Sequence, residues 1–311
     1  MSASHGSKAI IAAFIANTGI AVAKFVAFLL TGAASMLAES IHSLADAGNQ
    51  GLLLLGGRKA ARPPNERHPF GYARERYFWA FVVALVLFSM GGLFALYEGI
   101  EKLRHPHDLE SPAIAIGVLI FAILLETYSL RTAVVETNKT KKPKESYWQF
   151  IKRSKSPELP VVLLEDIGAM VGLVLALAGV VLAAITDEPR YDALGSVGIG
   201  ILLVVIALTL AVEIKSLLIG EAAEPEVAEA LKAAITDGPE VARLINMRTL
   251  QLGPDDGLVA AKVELTASAQ SREKVAMAID ATEARMRVAC PIANLIFLEP
   301  DVMKPQVSPT P

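Results

Sequence analysis

The sequence is poor in the residues that soluble enzymes and zinc knuckles depend on. It has one cysteine, Cys290, which excludes an intrachain disulfide and any cysteine-built metal knuckle. Histidine occurs five times, at His5, His42, His68, His105 and His107. Charged residues make up only 20% of the chain, below the usual quarter, and the net charge of −3 leaves no basic footprint for nucleic acid. What fills the space is apolar. The A, V, I, L, M, F, W, Y and C types reach 53% of 311 residues, with 22 glycines besides, and mean hydropathy is +0.46. Disordered, collagenous and ordinary soluble enzyme chains are excluded, and the apolar excess belongs in lipid.

Six runs approach or exceed the ~20 apolar residues that cross a bilayer. They cover residues 9–30, 34–57, 77–98, 113–135, 159–185 and 193–219. The first is too long for a secretory signal core and lacks a small-residue cleavage site, so it reads as a retained span. Lys and Arg are biased thirteen to three towards the links after spans two and four, over those after spans three and five. That bias predicts even-numbered links and both termini on the cytoplasmic side.

Past span six the pattern changes. Residues 224–300 carry eight Lys/Arg and twelve Asp/Glu. A helix is predicted at 225–235, with Pro225 in its first turn, and a strand at 244–252. Gly253 to Gly257 reads as a turn into a half-buried strand on which Val259, Ala261, Val263 and Leu265 alternate with polar or small neighbours. Val275, Ile279, Thr282, Met286 and Ala289 share one helix face, and 292–298 is a last strand. The organisation expected is a transmembrane domain at 1–220, a small αββαβ domain of the α+β class at 221–300, and a Pro-rich tail at 301–311. The small domain is near the lower size limit for folding alone, so dimerisation would help it.

Ionisable groups inside a span are costly and mark pathways or sites. Span two is the densest: within residues 35–50, His42 and Asp46 stand at i and i+4 on one helix face, with Glu39 and Asn49 on the same stripe. An imidazole and a carboxylate one turn apart reach one divalent ion, and the mixed N/O set suits zinc or a similar transition metal better than magnesium or calcium. The bland alternative is polar glue between helices. Span five adds Glu165 and Asp166, about 100° apart on the helix. His42, Asp46 and Asp166 supply three donors; Glu165, Asn49 or water supplies a fourth. Lys24 and Glu126 are read as an ion pair, or Lys24 as a snorkelling side chain. His68 is a surface turn residue or, with Glu39, part of a transient metal relay. His105 and His107 read as a solvated loop, and Cys290 as a packed small residue. No HExxH is present, since Ser43 follows His42, so an intramembrane metalloprotease is excluded. The chain is read as a non-enzyme.

The HxxxD pair at His42 and Asp46, the following Arg67-His-Pro-Phe-Gly-Tyr-Ala-Arg74 and the six-span layout with a small domain resemble the cation diffusion facilitator family of zinc/proton antiporters. Val161 to Asp166 and Tyr191 to Gly200 are similar to the branch holding the animal mitochondrial zinc transporter. The resemblance implies a metal site shared by spans two and five, a metallochaperone-like (ferredoxin-like) cytoplasmic domain and a homodimer in a bacterial inner membrane. It implies export of a divalent metal from the cytoplasm in exchange for protons. Zinc is the first expectation, with manganese, iron and cobalt also open. The sequence departs from the family where Val162 stands for the usual histidine four residues before Asp166, and where Tyr72 replaces the second histidine of the link. The cytoplasmic domain has no histidine, which argues against a binuclear zinc site there. These departures keep a non-transporting metal sensor or assembly subunit as the alternative reading.

Overall fold

The computed structural model describes residues 3–31, 34–106, 112–267, 269 and 271–302, without the side chains of 3–7, 30–31, 34–39, 41 and 42. The chain divides into two compact units, Met1–Leu218 and Ile219–Pro311.

The first unit is helical. It contains α1 (Ala3–Thr31), α2 (Ala34–Ala60), α3 (Glu75–Val86), α4 (Phe94–Arg104), α5 (Pro112–Thr140), α6 (Tyr147–Arg153), α7 (Glu158–Thr186) and α8 (Arg190–Ile219). A π-helical stretch, Leu87–Leu93, joins α3 to α4, so the predicted third span is one continuous rod with a locally widened turn. Among the described residues, five helices are long and apolar enough to cross a membrane: Lys8–Leu29, Glu75–Arg104, Pro112–Thr140, Glu158–Thr186 and Arg190–Ile219. This is a multi-pass helical membrane protein. The helix expected from span two is present as α2 but is not among those five, because Ser40, Ser43, Asp46, Asn49 and Gln50 dilute its apolar surface.

The helices are apolar all round, yet they distinguish inside from outside. On α8, Gly200, Leu203, Ala207, Leu210, Ile214 and Leu217 are buried at helical spacing. Ile201, Val205, Leu208 and Val212 form an exposed stripe on another face, 52–65% open. In water such a stripe would be a liability; facing lipid it is the expected surface. Glycine sets the closeness of packing. A Cβ on Gly200 would lie 2.6 Å from the backbone nitrogen of Leu96, and one on Gly99 would lie 2.7 Å from that of Val197. Backbone, not a flexible side chain, blocks the space, as in membrane helix pairs that approach through small residues.

A short helix, α6, was not expected. Its start is a capping box: the Gln149 N–H donates to Ser146 Oγ at 3.1 Å, and the Ser146 N–H donates to Gln149 Oε1 at 2.9 Å. Phe150 and Ile151 anchor it in the core. The preceding turn is fixed by Glu145, which accepts from Arg153 Nε at 2.7 Å, from Arg153 Nη2 at 3.1 Å and from the Lys142 N–H at 2.9 Å. The hydrogen-bonded Arg153 holds the Glu145 carboxyl below the usual glutamate range.

The second unit has the order α9 (Pro225–Thr236), β1 (Val241–Gly253), β2 (Asp256–Leu265), α10 (Arg272–Ala289) and β3 (Ala293–Pro300), the expected αββαβ. β1 pairs antiparallel with β2, and β2 pairs parallel with β3, so β2 is central. The alternation on β2 places Val259, Ala261 and Val263 in the core with Leu231, Ile235 and Met286. Cys290 packs there, as expected. Ala289 does not share the buried face of α10; it is exposed, and Ala278 lies inside with Thr282 and Met286. The tail from residue 303 onwards lies outside the described residues.

Two measurements test this packing. Gly200→Ala and Gly99→Ala are each expected to destabilise the bundle by about 1–3 kcal/mol in a detergent thermal melt. Gly117→Ala, where nothing lies within 4 Å, should be neutral or slightly stabilising. The lowered Glu145 carboxyl contributes stability that is complete above the unfolded glutamate pKa, about 4.3. That contribution is lost as the pH falls through the lower folded value. Arg153→Gln should abolish this part of the acid dependence, read as melting temperature against pH.

Candidate functional site

Polar side chains meet inside the bundle where α1, α2, α5 and α7 pack. The helix periodicity of α2 turns Ser43, Asn49 and Gln50 inward, and Asn49 and Gln50 are 1% and 0% exposed. Asn49 Nδ2 donates to Glu165 Oε1 at 3.1 Å, and Gln50 Nε2 donates to Glu165 Oε2 at 2.8 Å. Both oxygens of one α7 carboxylate are therefore held by two amides of α2. Asn17 of α1 extends the line, its Nδ2 donating to Gln50 Oε1 at 3.4 Å.

Asp166 turns the other way. Ser129 Oγ of α5 donates to Asp166 Oδ2 at 2.8 Å, with both residues 1% exposed. Adjacent positions on a helix diverge by about 100°, and here each direction has its own partner helix. Glu126, one turn before Ser129 and 2% exposed, lies within electrostatic reach of Asp166, Glu165 and Asp46. Asp46 is half-buried on α2 and acts on Glu165 as well. Four acidic side chains from three helices thus share one low-dielectric region, where each unit of like charge raises the cost of the next.

Of the residues singled out from the sequence, Asn49 and Glu165 are brought into direct contact, and Asp46 and Asp166 lie in the same acidic region. The side chains of His42 and Glu39 lie outside the described residues. Among the described residues, no group of three or more His, Cys, Asp and Glu side chains is arranged to hold a metal ion. Glu165 and Asp166 are engaged by neutral donors and do not converge on one point. Asn49 Oδ1 is buried and has no hydrogen-bond partner among the described residues, an acceptor available to a cation or a proton donor.

His68 stands apart from this region, exposed in the α2–α3 link. Its ring packs on Tyr72 at 4.5 Å, and its N–H donates to Asn65 Oδ1 at 2.8 Å. Gly71, at φ +80°, closes that turn by donating to the His68 carbonyl at 3.0 Å. His105 is exposed, 3.7 Å from Glu101; His107 lies outside the described residues. The sequence reading missed Asn17, Gln50 and Ser129, and did not place Glu126 in the acidic region. The signal for Ser129 and Glu126 was their i, i+3 spacing in the polar segment 126–132 of a long apolar span.

Residues 10–219 match the family model of the cation efflux transmembrane domain. The chain belongs to the cation efflux family. It is 35% identical over 231 residues to the human protein named proton-coupled zinc antiporter SLC30A9, mitochondrial, a match covering 74% of this chain and 41% of that protein. It is 28% identical over 264 residues to metal tolerance protein C4 of Arabidopsis thaliana, covering 84% of this chain and 57% of that one. It is 30% identical over 254 residues to zinc transporter ZitB of Pectobacterium atrosepticum, covering 80% and 73% respectively. The match therefore spans less than two thirds of the length of the first two relatives. The cation efflux family is built of transporters and not of enzymes, and the apolar helices of this chain fit that coarse assignment.

The amide pair makes a prediction about stability that does not involve transport. Gln50→Leu removes the donor to Glu165 Oε2, and Ser129→Ala removes the donor to Asp166 Oδ2. Each change is expected to lower stability by about 1–3 kcal/mol, the cost of leaving a buried acceptor unsatisfied. Ser89→Ala, at an exposed serine bonded to its own helix at Leu85, should stay near zero in the same melt.

Proposed function

We propose that the protein is a secondary transporter that exports a divalent transition metal, zinc first, from the cytoplasm in exchange for protons. The observation that carries this reading is the cluster of Asp46, Glu126, Glu165 and Asp166 on α2, α5 and α7, beside the open acceptor of Asn49. Carboxylates gathered in a membrane interior need a cation or protons to be stable, and exchanging one for the other is the chemistry of a metal/proton antiporter. The substrate ligands are His42, Asp46 and Asp166, with Glu165 or Asn49 completing the set. A donor set rich in oxygen leaves manganese, iron and cobalt as further substrates.

Metal binding requires a neutral imidazole and ionised carboxylates, so loading the site releases protons. Reloading it with protons from the far side expels the metal, and rocking of the bundle exposes the same residues alternately. Loading also requires Glu165 or Asn49 to exchange their mutual hydrogen bond for the metal. The names of the relatives, a proton-coupled zinc antiporter and a zinc transporter, support the same substrate and coupling. The Lys/Arg bias of the links supports both termini in the cytoplasm, and the similarity to a bacterial zinc transporter supports a bacterial inner-membrane location. The small αββαβ unit is the cytoplasmic domain and helps hold a homodimer.

The test is metal flux into sealed vesicles, with zinc and manganese, with and without a pH gradient. Wild type should move metal faster when the gradient opposes it with protons. Asp46→Ala and His42→Ala should lose at least tenfold in flux while melting normally. Metal binding without flux in wild type would assign the chain to sensing or assembly instead. Asp166→Asn should weaken zinc binding more than Glu165→Gln in calorimetry, and the reverse order would make Glu165 the principal α7 ligand. Val162, fully buried one turn before Asp166, should as Val162→His raise zinc affinity over manganese.

A further inference from the structure

We infer that the basic end of the bundle around α6 binds the headgroup of an anionic phospholipid, with Lys144 and Lys152 contacting the phosphate and Tyr147 and Trp148 seated at the headgroup level. Residues 138–157 contain seven Lys/Arg and a single acidic residue, Glu145. That acid is turned inward and consumed by Arg153, with its side chain 8% exposed. It therefore gives no compensation to Lys144 and Lys152, which are both exposed.

The tertiary structure adds a second basic link to the first. Arg76 Nε lies 3.4 Å from Glu158 Oε1, and the Tyr77 hydroxyl donates to the Lys155 carbonyl at 3.0 Å. These contacts hold residues 58–76, with six Lys/Arg against two Glu, next to the α6 segment. The combined patch lies at the ends of α3, α5 and α7, where bundle helices leave the apolar layer.

The aromatic groups locate the patch further. Tyr147 and Trp148 are 40% and 49% exposed, on a helix whose Phe150 and Ile151 are buried. Lys152 Nζ stands 5.1 Å from the Trp148 ring centroid, and Lys141 Nζ stands 5.6 Å from that of Tyr147. The ammonium groups of these two lysines thus stand over aromatic faces. Exposed tyrosine and tryptophan collect at membrane–water interfaces, and adjacent lysines there favour anionic lipid. A divalent metal would be repelled by the same charges, so this patch is not a route for the transported ion. The inference is independent of the transport reading.

The experiment uses the full-length chain purified in a neutral detergent. Retention of phosphatidylglycerol and of phosphatidylcholine with matched acyl chains is measured by native mass spectrometry. Phosphatidylglycerol should be retained over phosphatidylcholine. Lys144→Gln/Lys152→Gln should weaken that retention at least tenfold, since each lysine near an anionic surface contributes about fivefold. Lys152→Gln alone should lose about fivefold, which keeps the test available should the double variant fold poorly. Arg272→Gln/Lys274→Gln, two exposed sites in the second unit, should leave retention unchanged. Equal retention of the two lipids overturns the inference, and so does an equal loss in the Arg272/Lys274 variant. Displacement of the lipid by millimolar inorganic phosphate also overturns it, by assigning the lysines to free phosphate.

Discussion

The structure turns on how a membrane bundle accommodates the carboxylate of Glu165. A carboxylate in hydrocarbon is untenable unless its oxygens are bonded. Here both oxygens accept from amides of one neighbouring helix, Asn49 and Gln50. Amides suit the task because they donate without carrying charge, so Glu165 is held at both oxygens by neutral partners. It remains able to act on Asp46 and Glu126 nearby, and the region keeps its acidic character. A lysine or arginine in place of the amides would have satisfied the same oxygens while adding a positive charge to the acidic region.

That arrangement depends on helix spacing. The side chains of Asn49, Gln50 and Glu165 bridge α2 and α7, and Ser129 on α5 reaches Asp166 from another side. Elsewhere in the bundle the closeness comes from glycine, with Gly99 and Gly200 admitting the backbone of the facing helix. Membrane helices gain no hydrophobic drive from meeting one another, so close van der Waals contact and buried hydrogen bonds take its place. The polar constellation and the glycine contacts therefore do the same work at different places.

At the basic end the physical logic is reversed. Glu145, the one acid of its segment, is drawn inside by Arg153 and fixes the turn before α6. The lysines left outside face an environment that water or anionic headgroups can solvate. One chain thus gathers acidic side chains inside its bundle and a basic, aromatic-rimmed patch at one end. The small second unit is separate in character, with an alternating β2 strand and a core of Leu231, Ile235 and Met286 like that of a soluble α+β domain.

Composition and period determined the architecture. Long apolar runs can only be spans in lipid, and the alternation of Val259, Ala261 and Val263 with less buried neighbours can only be a half-buried strand. The polar stripe of α2 and the Glu165–Asp166 pair were legible because ionisable groups inside a span are costly and stand out against an apolar background. What no one-dimensional pattern holds is the partner. That Glu165 faces α2 while Asp166 faces Ser129 depends on the rotation of α7 about its axis, and an apolar helix is too uniform around its circumference to set that rotation locally. That Glu126 lies near Asp166, Glu165 and Asp46 was unreadable for the same reason, since a span's sequence does not say which neighbours its charge will meet. The capping box at Ser146 and Gln149 was written in the sequence and passed unread. The junction of the two basic links through Arg76 and Glu158 was not written there, because it exists only once three helices end at one level.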